Sequence, residues 1–230
     1  MVPRAALSTS PVRRLDLKTL ELGVQELVGA DPDLAAVVVQ HGPPPLWGRR
    51  PGFATLIRIV LEQQVSLASA HAVFRRLQHY VGPLTAERIV GLGTKGLRQV
   101  GFTRQKAGYC YDIAVDIVTG CLDLSEISGD DDEQARARLL AIRGIGPWTA
   151  DIYRLLALRR PDIWPDGDLA LAESARVVKR LRTRPSVERL AKIARMWAPW
   201  RSVAARILWH NYLGRRTDRP RRGSTARQVR

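Results

Sequence analysis

Apolar residues recur at the three- and four-residue spacing of an amphipathic α-helix along almost the whole sequence. Segments in which polar and apolar residues alternate between turn residues, as in a half-buried β-strand, are scarce. The periodicity predicts helices over about 15–28, 32–41, 51–67, 68–81, 84–91, 103–119, 132–142, 147–160, 168–182, 185–197 and 200–212. We therefore expect an all-α fold.

Two of the predicted helix starts carry side chains that can satisfy free backbone amides. Asp31 can cap the helix that begins at Pro32, where the missing N–H of proline costs nothing. The acidic run Asp131, Asp132 and Glu133 suits the positive end of another helix. A metal site is the less favoured interpretation of this run, because it has neither alternating ligands nor a closing carboxylate.

The charge balance points to a polyanionic partner. The 230 residues include 37 Lys and Arg against 22 Asp and Glu, a net charge of +15. Nucleic acid is the first candidate and an acidic membrane surface the second. The segment 214–230 has seven arginines, one aspartate and no apolar periodicity, which predicts a mobile basic tail. Residues 1–14 are expected to be an extension before the folded part, 15–213.

Cysteine content limits the possible metal centres. Cys110 and Cys121 are too few for a four-thiolate zinc or iron–sulfur site, and the four histidines are not spaced as metal ligands. No apolar run has the length of a signal peptide core or a membrane span. We expect a cytoplasmic protein, associated with the nucleoid if bacterial, that does not enter membranes and requires no cofactor.

The stretch IRGIGPWTAD, residues 142–151, separates two predicted helices. Gly144 and Gly146 permit positive φ and close backbone approach, and Pro147 suits the first position of the second helix. The amides of Gly144, Gly146, Trp148 and Thr149 would then surround a positive helix end, where a phosphate oxygen could bind. From this stretch alone, a phosphate site and a simple tight turn between helices are equally favoured.

The longer stretch LLAIRGIGPWTADIYRLLALRRPDIWPDGDLAL, with HGPPPLWGRRPGFATLIRIVLEQQVS, GFTRQKA and MWAPWRSVAARILWH, resembles the helix-hairpin-helix DNA glycosylases. Within them it is similar to the 3-methyladenine DNA glycosylase II (AlkA-type) branch, in a compact form without the amino-terminal β domain. The resemblance covers about 15–213. It implies two all-α subdomains with a cleft between them, and a hairpin over about 132–160 at the cleft mouth. It also implies a monomer whose substrate is double-stranded DNA containing damaged bases.

The resemblance places the essential aspartate of the family at Asp168 and leaves Asp166 in the preceding loop. A carboxylate there would stabilise the positive charge that develops on the sugar when an alkylated base, such as 3-methyladenine or another N-methylated purine, leaves. On its own, Asp168 is better explained as the N-cap of the next helix. Only the motif around it favours catalysis.

The resemblance also implies roles for aromatic and amide side chains. Trp148 and Trp209 are expected to wall the pocket for the extruded base. Gln64 aligns with the DNA wedge, the residue that fills the gap left by that base, and Gln63 precedes it. Three other tryptophans are expected to pack in the core or in loops, namely Trp47, Trp197 and Trp200. Ile152, beside Tyr153, stands at a position where the bacterial archetype of this family has an aromatic residue in its pocket, which leaves the substrate range open.

Two further expectations follow from the resemblance. Family members that also cut the DNA backbone have a lysine where this chain has Trp148, so base removal without AP lyase activity is expected. Hairpins of this type often hold Na⁺ or K⁺ through backbone carbonyls, here those of Leu140, Ile142 and Ile145. The alternatives to a glycosylase for alkylated bases are a non-catalytic DNA-binding module and a glycosylase of the same fold for deaminated purine or uracil.

Overall fold

The computed structural model describes residues 14–217, so the predicted N-terminal extension, apart from Arg14, and most of the predicted tail lie outside the described residues. The described part is helical and contains no β-strand, which confirms the all-α prediction. The helices are α1 (Leu17–Ala30), α2 (Pro32–His41), α3 (Phe53–Glu62), α4 (Leu67–Val81), α5 (Ala86–Gln99), α6 (Arg104–Val118), α7 (Leu124–Gly129), α8 (Asp132–Ala141), α9 (Pro147–Leu156), α10 (Leu169–Val178), α11 (Val187–Ala194) and α12 (Arg201–Thr217).

The structure differs from the periodicity most at the ends of three helices and in one helix that was not predicted. α3 ends at Glu62, five residues early, because Gln63 adopts ψ 127° and Gln64 has φ 54°. α5 continues past a kink at Gly93, where φ is 66°. α7 was not predicted, since six residues are too few to display a helical period. Residues 214–217, assigned to the tail, form the last turn of α12.

The predicted caps are confirmed. Asp131 accepts hydrogen bonds from the amides of Glu133 and Gln134, and Asp31 caps α2. Asp31 also binds Lys179 Nζ at 2.6 Å and Trp197 Nε1 at 2.8 Å. Burial raises the pKa of Asp31, but the bonds from Lys179 and Trp197 outweigh it, and the pKa lies below its usual value. This ion pair joins the start of α2 to the C-terminal end of α10.

The helices pack in two groups. α1 and α2 pack with α10, α11 and α12, whereas α3 to α9 pack with one another. A continuous apolar core links the groups. Trp197 and Trp200 are buried in it, as predicted. Within residues 14–217, no helix combines the length and the apolar character that crossing a bilayer requires.

Arg206, on α12, connects the two groups although its side chain is completely buried. Its guanidinium donates to the carbonyls of Leu46 at 2.8 Å, Ser202 at 2.9 Å and Leu155 at 3.0 Å. Leu155 belongs to α9, and Leu46 to the loop before α3. Burial lowers the pKa of Arg206 to about 9, so the side chain is still a cation at neutral pH. Its donors therefore fix the position of α12 against α9.

The variant Arg206→Met should lower stability strongly. It keeps apolar volume but leaves the carbonyls of Leu46 and Leu155 without this donor, at about 1–3 kcal/mol for each unsatisfied group. Ser202 O keeps the backbone hydrogen bond of α12. We expect the urea midpoint to fall by an amount equivalent to at least about 2 kcal/mol. Arg182→Met, at an exposed position, is the matched control and should change the midpoint little. Equal midpoints for the two variants would contradict the role given to Arg206.

Candidate functional site

Asp168 immediately precedes α10 and caps it. Its Oδ1 accepts a hydrogen bond of 2.9 Å from the amide of Leu171. Gly167, with φ 79°, turns the chain just before this position, a conformation that glycine adopts without strain. Only 9% of Asp168 is exposed. The capping interpretation of this aspartate is thus correct, and it does not exclude a second role.

Two indole groups complete the surroundings of this carboxylate. Trp148 Nε1 donates to Asp168 Oδ2 at 3.1 Å, and Trp209 Nε1 donates to Oδ1 at 3.4 Å. Trp148 is the second residue of α9, and Trp209 lies on α12. Three residues far apart in sequence therefore meet at one point. The structure brings together the predicted catalytic aspartate and both predicted pocket tryptophans.

The three donors to Asp168 are all uncharged. Within the described residues, no Lys, Arg or His nitrogen lies within 4.0 Å of its carboxylate. The other buried aspartates have cationic partners. Asp31 is paired with Lys179 at 2.6 Å, and Asp151 is paired with Arg154 at 2.5 Å. Hydrogen bonds replace the lost hydration of Asp168 without cancelling its charge. A nearly buried negative charge is thus available to an incoming group.

The glycine hairpin lies between α8 and α9. Ile145 N donates to Ile142 O, which closes the turn. Gly146, the residue before α9, has no side chain that could cap the helix. The first amides of a helix have no partner within it. The amides of Trp148 and Thr149 in the first turn of α9 therefore point from a positive helix end. This arrangement is compatible with the predicted phosphate site.

Gly144 is held against α6 by close packing. Its φ is 86°, and a Cβ atom at this position would overlap the ring of Tyr109. Next to it, Arg143 Nη1 binds Asp112 Oδ2 at 2.8 Å. Gly146 differs, since no other atom lies within 4 Å of a Cβ placed there. The first glycine is thus required by the docking of the hairpin on α6, and the second is free to approach a ligand.

The two glutamines after α3 have different surroundings. Gln64 is exposed and has φ 54°. Gln63 turns inward, and its Nε2 donates to Gly144 O at 3.0 Å and to Thr149 Oγ1 at 2.8 Å. Gln63 was predicted with Gln64 as the DNA wedge, but its side chain is engaged inside the protein. It connects the loop before α4 to the hairpin.

Lys106 is a site residue that the sequence analysis missed, although it lies within the quoted stretch GFTRQKA. Its Nζ donates to the carbonyls of Leu61 and Gln63, each at 2.7 Å. Burial lowers the pKa of this amine. A lysine at this position caps the open end of α3. Only the end of α3 at Glu62 could have pointed to Lys106, and the periodicity did not show where α3 ends.

Ile152, which replaces a pocket aromatic of the family's bacterial archetype, is part of the core. Ile152 is 3% exposed, and the neighbouring Tyr153 is fully buried. Tyr153 Oη accepts a hydrogen bond of 2.8 Å from the amide of Gly52, just before α3. Tyr153 therefore positions α3 and does not replace a pocket aromatic. Within residues 14–217, no group of three or more His, Cys, Asp or Glu side chains could hold a metal ion.

Comparison with known proteins identifies related chains. Residues 57–199 match the family described as HhH-GPD superfamily base excision DNA repair protein. The chain is 29% identical over 170 residues to the DNA-3-methyladenine glycosylase of Bacillus subtilis (68% of this chain, 56% of that protein) and 28% identical over 180 residues to DNA-3-methyladenine glycosylase 1 of Schizosaccharomyces pombe (76% and 79%). The solved structure of Schizosaccharomyces pombe 3-methyladenine DNA glycosylase (Mag1) in complex with abasic DNA is similar, with a TM-score of 0.72, 28% identity and coverage of 82% of this chain and 95% of that one.

The matched length differs among these relatives. The alignments span 65%, 56% and 41% of the lengths of three bacterial relatives. The fungal relative is matched over most of its length. The likeness therefore extends over most of this chain but over less than two thirds of those bacterial proteins.

The two hairpin glycines should respond differently to alanine. Gly144→Ala introduces strain at positive φ and a clash with Tyr109, so we expect a loss of about 1–3 kcal/mol in the free energy of unfolding. Gly146→Ala meets no neighbouring atom and should cost about 0.5 kcal/mol or less. Urea denaturation of both variants, with circular dichroism as the readout, measures the difference. Equal losses would refute the close docking of Gly144.

Proposed function

This chain belongs to the HhH-GPD superfamily of base excision DNA repair proteins, and from this premise we propose that it is a DNA glycosylase for alkylated bases. In this proposal it binds double-stranded DNA as a monomer, extrudes 3-methyladenine or another N-methylated purine, and hydrolyses the N-glycosidic bond. The activity named for its relatives supports the substrate class. The observation that carries the proposal is the unpaired carboxylate of Asp168 between two indoles.

The chemistry follows from the charge of Asp168. As the N-glycosidic bond breaks, positive charge develops on the deoxyribose, as in the oxocarbenium-like transition state of glycoside hydrolysis. The negative Asp168 stabilises this charge more than it stabilises the neutral sugar, which lowers the barrier. Its carboxylate also orients the attacking water. An N-methylated purine already carries positive charge and leaves readily, so one acidic residue suffices.

Other residues serve extrusion and binding. The exposed Gln64 fills the gap in the duplex by shape and hydrogen bonding, at an extrusion cost that is smallest for damaged pairs. The amides of Gly144, Gly146, Trp148 and Thr149 bind a backbone phosphate near the damaged nucleotide. Trp148 and Trp209 have two roles, since their N–H groups orient Asp168 and their rings form the walls that stack on the cationic base.

In this proposal no cofactor takes part in the reaction, but the hairpin holds a structural Na⁺ or K⁺. The ligands of this ion would be the carbonyls of Leu140, Ile142 and Ile145. Leu140 lies in the last turn of α8, where carbonyls have no helical partner. Ile142 O accepts one bond, from Ile145 N, and retains a second lone pair. The donor set therefore fits a hard cation, which would brace the turn. A cytoplasmic or nucleoid location would suit this function.

The variant Asp168→Asn tests the catalytic role. Asparagine can keep the N-cap and accept from Trp209 Nε1 through its single carbonyl oxygen, and it loses only the bond from Trp148 Nε1. The fold should therefore be retained, but the negative charge is lost. We expect release of methylated base from methylated duplex DNA to fall at least about a hundredfold. Affinity for the duplex should be unchanged, because the hairpin is intact.

Asp166→Asn is the matched control, since this exposed aspartate lies two residues earlier in the same loop. Its rate of base release should match that of the unmodified protein. Undiminished release by Asp168→Asn would end the catalytic assignment. Release from deaminated or uracil-containing duplexes, with little from methylated ones, would instead replace the proposed substrate class.

The absence of AP lyase activity can be tested by borohydride trapping on a duplex that contains an abasic site. A lyase forms a Schiff base through an amine, which borohydride reduces to a stable protein–DNA adduct. Because position 148 is tryptophan, we expect no adduct, while a glycosylase/lyase assayed in parallel forms one. Trapping of this protein would show that another amine reaches the sugar.

A further inference from the structure

Positive charge is concentrated in one part of the chain that lies mostly outside the proposed site. Between Gln63 and Tyr111 there are seven Lys and Arg residues and one acidic residue, Glu87. This segment of 49 residues therefore contributes +6 of the net charge of +15. It forms α4, α5 and the start of α6. So long a basic segment leaves few partners for its cations within its own helices.

A shallow groove runs along α4 and α5 in this segment. It consists of a depression of about 570 Å³ lined in part by Arg75, Arg76 and His79, and an adjoining one of about 450 Å³. Lys95 and Arg98 line the second depression, and no carboxylate lines either of them. We call this surface the α4–α5 groove. The arginines and the lysine are thus not accompanied by an acidic side chain in the lining.

Three of these cations are free to bind a ligand. Arg75, Lys95 and Arg98 are exposed, and within residues 14–217 none of them has a carboxylate oxygen within 4.0 Å. Arg76 differs, because its Nε donates to Val100 O at 3.0 Å and fixes the turn before α6. Exposed arginines elsewhere do pair, as Arg138 does with Glu126 at 2.7 Å. The three cations of the groove therefore keep their full charge for a partner.

A short segment of chain links the groove to the loop that carries the predicted wedge. Val100 lines the groove, and Lys106, six residues later, binds the carbonyls of Leu61 and Gln63. Six residues of chain span at most about 20 Å. That distance corresponds to about 6 base pairs of duplex at 3.4 Å each. A duplex held at Gln64 therefore needs only about half a helical turn of flanking DNA to reach the groove.

We propose that the α4–α5 groove binds the phosphate backbone of the duplex flanking the damaged nucleotide, as a second DNA-binding surface besides the hairpin. The identity of the lesion site rests on the proposed function, but the groove itself requires only duplex DNA. Three exposed cations without accompanying carboxylates suit a line of phosphates and read no base sequence. The groove would hold undamaged DNA as well as damaged DNA.

The triple variant Arg75→Gln, Lys95→Gln, Arg98→Gln tests the groove in the full chain. We expect the affinity for an undamaged duplex of about 20 base pairs to fall tenfold or more at moderate salt. The slope of log affinity against log salt should become shallower by about one unit for each phosphate that the variant no longer neutralises. Base release at saturating protein should be unchanged, because these residues lie outside the site around Asp168.

A second triple variant, Arg182→Gln, Arg189→Gln, Lys192→Gln, removes the same net charge from exposed positions near α11. It should retain most of the affinity and the salt slope. A duplex of about 8 base pairs centred on the wedge extends only about 14 Å to each side, at about 3.4 Å per pair, so the difference between the two triple variants should be smaller on it. Equal losses for the two variants on the longer duplex, or an unchanged slope in the groove variant, would overturn the proposal.

These outcomes are distinct from those that test catalysis. If Asp168→Asn kept its activity, the salt slopes would still decide whether the groove binds DNA. If the groove variant bound DNA normally, the role of Asp168 would be unaffected. Normal DNA binding by the groove variant would end the inference that the groove binds DNA. The surface would then fit an acidic protein as its partner.

Discussion

A carboxylate that is removed from water and has no cationic partner must be held by hydrogen bonds, and this constraint governs the architecture around Asp168. One donor comes from α10 itself, and two come from tryptophans on α9 and α12. The three helices therefore have to converge at one point. Because the donors are neutral, the negative charge of Asp168 is not cancelled within the fold, as the proposed reaction requires.

Arg206 and Lys106 differ from the candidate catalytic Asp168, because each is engaged in bonds that join parts of the fold. Arg206 and Lys106 bind backbone carbonyls, and each joins segments that are distant in sequence. Arg206 sets α12 against α9, so it also fixes the separation of Trp209 and Trp148. Lys106 closes α3 where the loop of Gln64 begins. These donors thus fix the helix positions on which the candidate site depends, and the unpaired exposed cations of the α4–α5 groove are the ones proposed to bind DNA.

Much of the fold could be predicted because its signals are local. Helical periodicity and the caps at Asp31 and Asp131 depend on neighbouring residues, and the structure has both. The motif around Asp168 likewise pointed to the residues that meet there. The inward turn of Gln63 and the carbonyl hydrogen bonds of Lys106 could not be predicted, since they depend on which segments adjoin in space. For the same reason α3 continued too far in the prediction.

Gln63 has a mechanical consequence. Its amide nitrogen binds both the Gly144 carbonyl and the Thr149 hydroxyl, on the two sides of the hairpin turn. The loop at 63–64 and the turn at 144–149 are therefore coupled, and a displacement of one is transmitted to the other. In the proposed function, insertion of Gln64 into the base stack and phosphate binding by the hairpin would then be coupled through this one glutamine side chain.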